Sequence, residues 1–446
     1  MTFTKKILNE TYFAESFLNQ NSFAVYGLGL TGMSVIKLFN KKKFTNFHVW
    51  DDNKIIRSFY EKNKNLKIRN KYFEKNIDEV NYIILSPGIS IEKSTFKKKL
   101  LKNRYKIITD LDLFYILNPN IKSIVVTGSN GKSTTCKIIE QVLKKNNISV
   151  KLGGNIGKPL LDLNIKKNMS IIIEASSFQL AYSKFIRPNY AMILNITNDH
   201  LDWHKTMKKY IKSKFKIFLN QKKNDFAFLN NKKLTKLYKK NNFKGKLKFV
   251  SISNYKSIKN KIKNKYLKTK INDENMSFVY QLAKKFNIRD NLFAKSVNTF
   301  EGLEHRHEIF YKKSGITFIN DSKATSFEAT KNALMSNENI YWLVGGLHKK
   351  NDYFQLKSVK KKIVKAYIIG KNTSFFEKQI KKIIPYKVSN NLENAINSIY
   401  NDIKLSKNYK NTILLSPAAA SYDQFDNFES RGIYFKNLIN KKFIKN

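Results

Sequence analysis

The stretch VVTGSNGKSTT, residues 125–135, constrains this chain more than any other, because an apolar run breaks there into small polar residues and restarts in a helix-like pattern. A strand that turns through Gly128, Ser129, Asn130 and Gly131 into a helix at Lys132, Ser133 and Thr134 aims successive backbone N–H groups at an anion. Glycine leaves the backbone approachable, and a helix N-terminus carries partial positive charge. Lys132 adds a point charge beside terminal phosphates, and Ser133 offers a hydroxyl oxygen to magnesium. The common eight-residue loop of this type would begin with glycine where Val126 stands, so this loop is a shortened form. Clusters of Gly, Lys and Ser also occur in ordinary turns; the order strand, loop, helix favours the phosphate-binding reading.

Upstream, the apolar run Phe23 to Tyr26 ends in GLGLTG, residues 27–32, ahead of a helical pattern with Val35, Ile36 and Leu38. Asp51 and Asp52 close the next strand, NFHVW. The arrangement resembles a dinucleotide fingerprint, but a phosphate-bearing substrate or a structural tight turn fits it too. YIILSPG, 82–88, reads as a third strand whose Ser86, Pro87 and Gly88 form a second loop on the same sheet edge. Downstream, SIIIEASSFQL, 170–180, reads as a strand carrying Glu174, a site residue or a buried satisfied acid. The strand of 191–204 finishes in polar residues, including Asn195, Asn198, Asp199 and His200; His200, Asp202 and His204 suit a hard metal, or a histidine there simply bonds a carboxylate. Tyr210 to Phe218 has helical spacing, with Lys214 one turn beyond Tyr210. The C-terminal part repeats the α/β rhythm in four apolar strands, ITFIN, IYWLV, AYIIG and TILLS, and so predicts another parallel sheet.

At 446 residues the chain exceeds one core, and a soft norm of about 150 residues per domain suggests three. The formal charge of +51 is spread along the whole chain, so it reads as compositional rather than as a polyanion-binding face. Cys136 is the only cysteine, which excludes an intrachain disulfide and fits a reducing compartment. The opening MTFTKKILNETYFAESF lacks a signal-like apolar core, and nowhere do about 18 uncharged apolar residues run together. The expectation is a soluble, cytoplasmic, monomeric protein with no specific nucleic-acid partner and no membrane insertion.

Together GSNGKST (128–134), EASSFQL (174–180), the NxTxDHxD pattern from Asn195 to Asp202, YIKSK (210–214), HRHE (305–308), DSKAT (321–325) and SPAAASYDQFDNFESRG (416–432) resemble, in order, the ATP-dependent Mur amide ligases that build the peptidoglycan stem peptide. The branch adding D-glutamate to UDP-N-acetylmuramoyl-L-alanine is the most similar. The resemblance implies an α/β chain with a Rossmann-like N-terminal domain at 1–120 for the UDP-substrate. A central P-loop ATPase-like domain at 121–300 and a Rossmann-like C-terminal domain at 301–446 for the amino acid would follow.

It further implies that Leu30, Thr31, Gly32, Asp51, Asp52, Ser86, Pro87 and Gly88 hold the uridine diphosphate. Gly128 to Thr134 would hold the triphosphate, with Asn275, paired with Asn272, on adenine and with Arg306 and Asp321 as a clamp. Ser133, Glu174, His200 and a carbamylated Lys214 would serve two Mg2+ ions, and Lys132, Glu174, His200 and Lys214 would form the catalytic set. Asn155, Ser176 and Gln179 would touch substrate, while Lys323, Thr325, Lys349, Ser416 and Phe428 would form the D-glutamate pocket. The Gly and His usual before the Asn pair are absent from KTKINDEN, Ser326 stands where Asn is usual, and Ala419 replaces a frequent Cys. Another Mur-type or a folylpolyglutamate-type amide ligase is the alternative reading.

Overall fold

The computed structural model describes residues 15–64, 70–264, 266–349, 352–405 and 409–444. Three sheets organise them. The first contains β1 (Phe23–Tyr26), β2 (Phe47–Trp50), β3 (Tyr82–Leu85) and β4 (Ile107–Ile108) in the order β2-β1-β3-β4, every pairing parallel. The second contains β5 (Lys122–Thr127), β6 (Val150–Gly154), β7 (Ser170–Glu174), β8 (Tyr190–Ile193), β9 (Phe226–Leu229) and β10 (Lys246–Phe249). Its order is β10-β9-β8-β5-β7-β6, again all parallel. Both sheets lie in the compact unit that ends at Phe300, and the third sheet lies in the unit that begins at Glu301.

The middle of the second sheet shows why an unbroken apolar run becomes a strand here. Parallel strands are covered on both faces, so they need apolar residues at consecutive positions rather than at alternate ones. Ile124 and Val126 of β5 pack with Cys136, Ile139 and Val142, whereas Val125 packs on the opposite face with Ile171, Ile173, Leu180 and Phe218. Cys136 is buried in the first of these cores, where a thiol acts as a small apolar side chain.

Three readings of the sequence need correction. The 191–204 run is a strand only as far as Ile193, and Leu201–His204 forms a short helix. The 170–180 run is not one strand: β7 stops at Glu174, and Ser176 opens the helix Ser177–Tyr182 through a capping box with Gln179. The C-terminal sheet holds six strands rather than four, in the order β11-β12-β16-β13-β14-β15, from β11 (Glu308–Lys313), β12 (Ile316–Asn320), β13 (Ile340–Gly345), β14 (Ile363–Ile369), β15 (Tyr386–Asn390) and β16 (Asn411–Leu415). β11 runs antiparallel to β12, so this sheet is mixed. The two unforeseen strands sit at the edges and are largely exposed; β15 is mostly polar and β11 carries only the short apolar run Ile309 to Tyr311, so neither stands out in a hydrophobicity pattern.

Asp112 joins the first two sheets. It caps the helix Asp110–Leu117 by accepting from Thr109 N at 2.9 Å, and its other oxygen accepts from Ser183 Oγ at 2.7 Å, Lys184 N at 2.8 Å and Phe185 N at 2.7 Å. Asp112→Ala would strand several buried donors, each costing about 1–3 kcal/mol. It is expected to lower stability by about 3 kcal/mol in urea titration, and an unchanged midpoint would remove Asp112 from this role.

Candidate functional site

Parallel register brings three strand ends together. Val126 pairs with Glu174 of β7, and Thr127 pairs with Ile193 of β8, so the turn after β5 lies between Glu174 and Asn195. Carboxyl ends of strands in such sheets are where ligands bind. The turn is held on its β8 side: Ser129 N donates to Asn195 O at 2.9 Å, Asn130 N to Asn195 Oδ1 at 2.8 Å, and Thr197 N to Ser129 Oγ at 2.9 Å. The Tyr210 hydroxyl meets Ser129 Oγ at 3.0 Å, and Asn195 Nδ2 donates to Glu274 at 2.8 Å. Gly131 starts the helix Lys132–Lys145 at φ +82°, and a Cβ there would overlap the Asn275 amide, so glycine is required on two counts. Asn275 therefore sits against the glycine turn and is bonded to Asn272 at 3.3 Å.

On the β7 side, Ser133 Oγ donates to Glu174 Oε2 at 2.6 Å and Asn155 Nδ2 to Glu174 Oε1 at 2.9 Å. Lys132 Nζ folds back to Gly128 O at 2.9 Å and Ser129 O at 2.8 Å. Thr134 is buried in the first turn of the helix. Lys214, 1% exposed, donates to Gly128 O at 2.8 Å and lies 4.6 Å from the Tyr210 ring centroid. Burial first, and then the Lys132 ammonium, hold its pKa well below the ordinary lysine value, against the opposing pull of Asp199 and Glu174. Lys214 is thus a buried amine, its charged form disfavoured, beside the glycine turn.

His200 has a left-handed backbone at φ 54°, and its Nε2 lies 3.3 Å from Asp199. His204 takes a different course. It is buried, its Nε2 meets Ser177 Oγ at 2.9 Å, and burial together with His200 and Lys214 lowers its pKa to about 4. The hard-metal reading of His200, Asp202 and His204 as one set is therefore corrected: among the described residues no cluster of three or more His, Cys, Asp or Glu is placed to hold a metal. Ser133 and Glu174 remain as touching oxygen donors, the chemistry magnesium takes when phosphate and water fill its other positions.

In the first sheet, Asp51 accepts from Leu28 N at 2.7 Å and Asn53 N at 2.8 Å, which fixes the glycine turn. Ser86 Oγ donates to Gly27 O at 2.8 Å, and a Cβ on Gly32 would overlap that same carbonyl. Asp52 is held by Tyr26 at 2.7 Å, Trp50 at 3.0 Å and Thr95 at 2.7 Å. Leu30 is 83% exposed at the start of the helix Leu30–Lys41, Thr31 and Pro87 are half-buried, and Gly88 is exposed. Ser176 and Gln179 are both buried, and their polar atoms serve the capping box and, through Gln179 Nε2, Asp110 at 3.4 Å.

In the C-terminal unit, Ser416 Oγ donates to Asp321 Oδ2 at 2.7 Å, and His307 N to Asp321 Oδ1 at 3.0 Å. Burial lifts the Asp321 carboxyl to about 7, with Arg306 pulling the other way. The Lys323 ammonium lies 3.6 Å from the Phe428 ring centroid, and Thr325 is half-buried on the way to the helix Phe327–Ser336. Leu347 and Ala420 exchange backbone hydrogen bonds of 2.9 Å, which brings the segment carrying Lys349 to the 416–421 loop; Lys350 lies outside the described residues.

Family descriptions agree with this geometry: "Mur ligase middle domain" matches residues 126–297, and "Mur ligase MurD-like, N-terminal domain" matches residues 21–108. The chain is 34% identical to the UDP-N-acetylmuramoylalanine–D-glutamate ligase of Rickettsia felis over 442 residues, covering 94% of this chain and 97% of that protein. The chain belongs to the Mur ligase family. Another relative, the ligase of the same name from Natranaerobius thermophilus, is 31% identical over 95% of this chain and 98% of its own length. Solved Mur ligases share the fold. A UDP-N-acetylmuramate–alanine ligase from Thermotoga maritima has TM-score 0.56 at 17% identity over 94% of this chain and 99% of its own. A MurF ligase of that organism in complex with ADP has TM-score 0.54 at 15% identity over 84% and 94%.

One buried cation in this Mur ligase escaped the motif reading as an individual residue. Arg431, 1% exposed, donates from Nε to Ser322 Oγ at 3.0 Å and from one terminal nitrogen to Ser322 O at 2.8 Å and Ala419 O at 3.0 Å. It thereby joins the DSKAT loop to the SPAAAS loop. The signal was present as an arginine on the same helical stripe as Phe428, Phe435 and Ile439.

The Asp321 carboxyl gives a test. Its pKa is raised from 3.8 to about 7 on folding, so between these values the folded state binds more protons and stability falls as pH rises. Asp321→Asn removes that dependence. The variant's thermal midpoint relative to the parent chain is expected to rise steadily across about pH 4 to 7, and a constant difference would refute the assignment.

Proposed function

We propose that this Mur ligase joins D-glutamate to UDP-N-acetylmuramoyl-L-alanine at the expense of ATP, in peptidoglycan precursor synthesis. The end-to-end match to D-glutamate ligases, 34% identity over 94% of the chain, carries the reading. The phosphate-binding turn beside Glu174 supplies its physical basis.

A carboxylate is a poor acyl donor because an oxide anion is a poor leaving group. Transfer of the γ-phosphoryl group of ATP to the alanyl carboxylate turns the leaving group into phosphate. The amine of D-glutamate then attacks the acyl carbon, loses a proton and expels phosphate. No protein nucleophile is required. Within this scheme residues 1–120 hold the UDP-substrate, residues 121–300 the ATP and residues 301–446 the D-glutamate.

Lys132 gives up its bonds to the Gly128 and Ser129 carbonyls and turns its charge to the transferring phosphoryl group. Ser133 and Glu174 would hold magnesium, which neutralises the charge that builds on the phosphate oxygens. Lys214 is suited to carbamylation: burial disfavours its charged form and so favours the free lone pair that attacks carbon dioxide, and loss of a proton yields a carboxylate in place of a cation. That carboxylate and His200 would serve a second magnesium ion. Among the described residues no helix is long and apolar enough to cross a membrane, and we assign the reaction to the cytoplasm, where ATP is supplied.

Phosphate release is expected to need ATP, magnesium, the UDP-muramoyl-alanine substrate and D-glutamate together. Equal product with L-glutamate, L-lysine or a folate acceptor in a coupled phosphate assay would sink the assignment. Lys214→Ala is expected to lose at least about 100-fold in kcat, the scale of losing an essential electrostatic group. Short carboxylic acids added to that variant should restore part of the rate, whereas parental turnover in Lys214→Ala would remove Lys214 from the chemistry.

A further inference from the structure

His204 lies outside every role assigned so far, yet each side of its ring meets an element that carries a site residue. Its Nε2 is 2.9 Å from the hydroxyl of Ser177, three residues beyond Glu174. Its Nδ1 is 3.4 Å from Ser213 Oγ, and Ser213 immediately precedes Lys214. Because Ser213 Oγ already donates its proton to Lys209 O at 2.9 Å, it accepts from Nδ1–H, and Nε2 in turn accepts from Ser177. This pattern suits the Nδ1–H tautomer, and burial disfavours the charged ring.

The faces of the ring are held as firmly as its nitrogens. Phe178 stacks parallel to His204 with centroids 5.7 Å apart, and the same Phe178 ring lies 4.6 Å from His200. The Tyr210 ring is 5.1 Å from His204, and its hydroxyl reaches Ser129 of the phosphate-binding turn. Both polar nitrogens of the buried ring are satisfied, and through them it bridges the helix after Glu174 to the helix bearing Lys214, with Phe178 packed against both it and His200.

We propose that His204 is a positioning residue that sets the Lys214 amine and the His200 imidazole relative to Glu174. The proposal rests on the reading of Lys214, Glu174 and His200 as the metal-binding side of the site. Groups that orient metal-binding side chains typically contribute about 10–100-fold to metal affinity or activity. Removing the nitrogens of His204 should therefore weaken magnesium use without touching the amino-acid pocket, which is built in the other compact unit.

The experiment compares the full-length parent chain with His204→Phe, His204→Gln and Ser177→Ala. Three readouts are taken: the magnesium concentration for half-maximal activity, the KM for D-glutamate, and the carbamate signal in 13C NMR after equilibration with 13C-bicarbonate. His204→Phe is expected to need about tenfold more magnesium and to lose carbamate signal, while its KM for D-glutamate stays within about twofold. His204→Gln, which keeps a polar group near Ser177, should recover part of the loss, and Ser177→Ala should shift the magnesium requirement in the same direction. Should His204→Phe fail to fold, the other two variants decide. Parental magnesium dependence in all folded variants, or an equal loss in every parameter, would overturn the proposal. A parent chain without carbamate signal but with the expected magnesium shift in the variants would sink the carbamylation of Lys214 and leave the role of His204 standing.

Discussion

The parallel register of β5 between β7 and β8 is the constraint on which the site depends. It sets Val126 opposite Glu174 and Thr127 opposite Ile193, so one turn meets an acid on one side and the Asn195 backbone on the other. A parallel slip of a single residue would exchange the faces of β5, sending Val125 into the core built for Ile124 and Val126. Core packing and site geometry are therefore enforced by the same register.

Around that register the polar groups satisfy one another in a way suited to exchange. Lys132 and Lys214 both donate to the Gly128 carbonyl, at 2.9 and 2.8 Å. Two amines converging on one carbonyl is a costly arrangement for cations, and burial together with the Lys132 ammonium disfavours the charged form of Lys214. In the proposed reaction a polyphosphate would offer Lys132 stronger partners than neutral carbonyls, since hydrogen bonds between charged groups are roughly twice as strong as neutral ones. The C-terminal unit follows the same logic. Asp321 is held by donors from Ser416 and His307 in a buried place that opposes its charge, a stability cost typical of functional groups.

Much of the fold and part of the site were legible in the chain. Apolar runs ending in Gly, Ser, Asn or Asp marked the central strands and the turns that follow them, because strands covered on both faces must be continuously apolar. The edge strands β11 and β15 were not legible, since largely exposed edge residues join a ladder through backbone bonds without needing a long apolar run. Local propensity also misread 170–180: the reciprocal bonds of Ser176 and Gln179 turn the second half of the run into a helix. In that conformation their polar atoms are bonded to each other and to Asp110.

The sequence by itself determined the chemistry on offer: a glycine turn entering a helix at Lys132 and Ser133, and acids and amides placed after apolar runs. These depend on residue type and short spacing, which the chain carries locally. Only the tertiary structure decided which groups meet. Ser133 touches Glu174 across 41 positions and Lys214 reaches Gly128 across 86, while His204 turns its two nitrogens to Ser177 and Ser213 rather than joining His200 as a ligand set. Strand order and register settle those meetings, and they follow from burying the whole sheet at once, a condition that no short window of sequence contains.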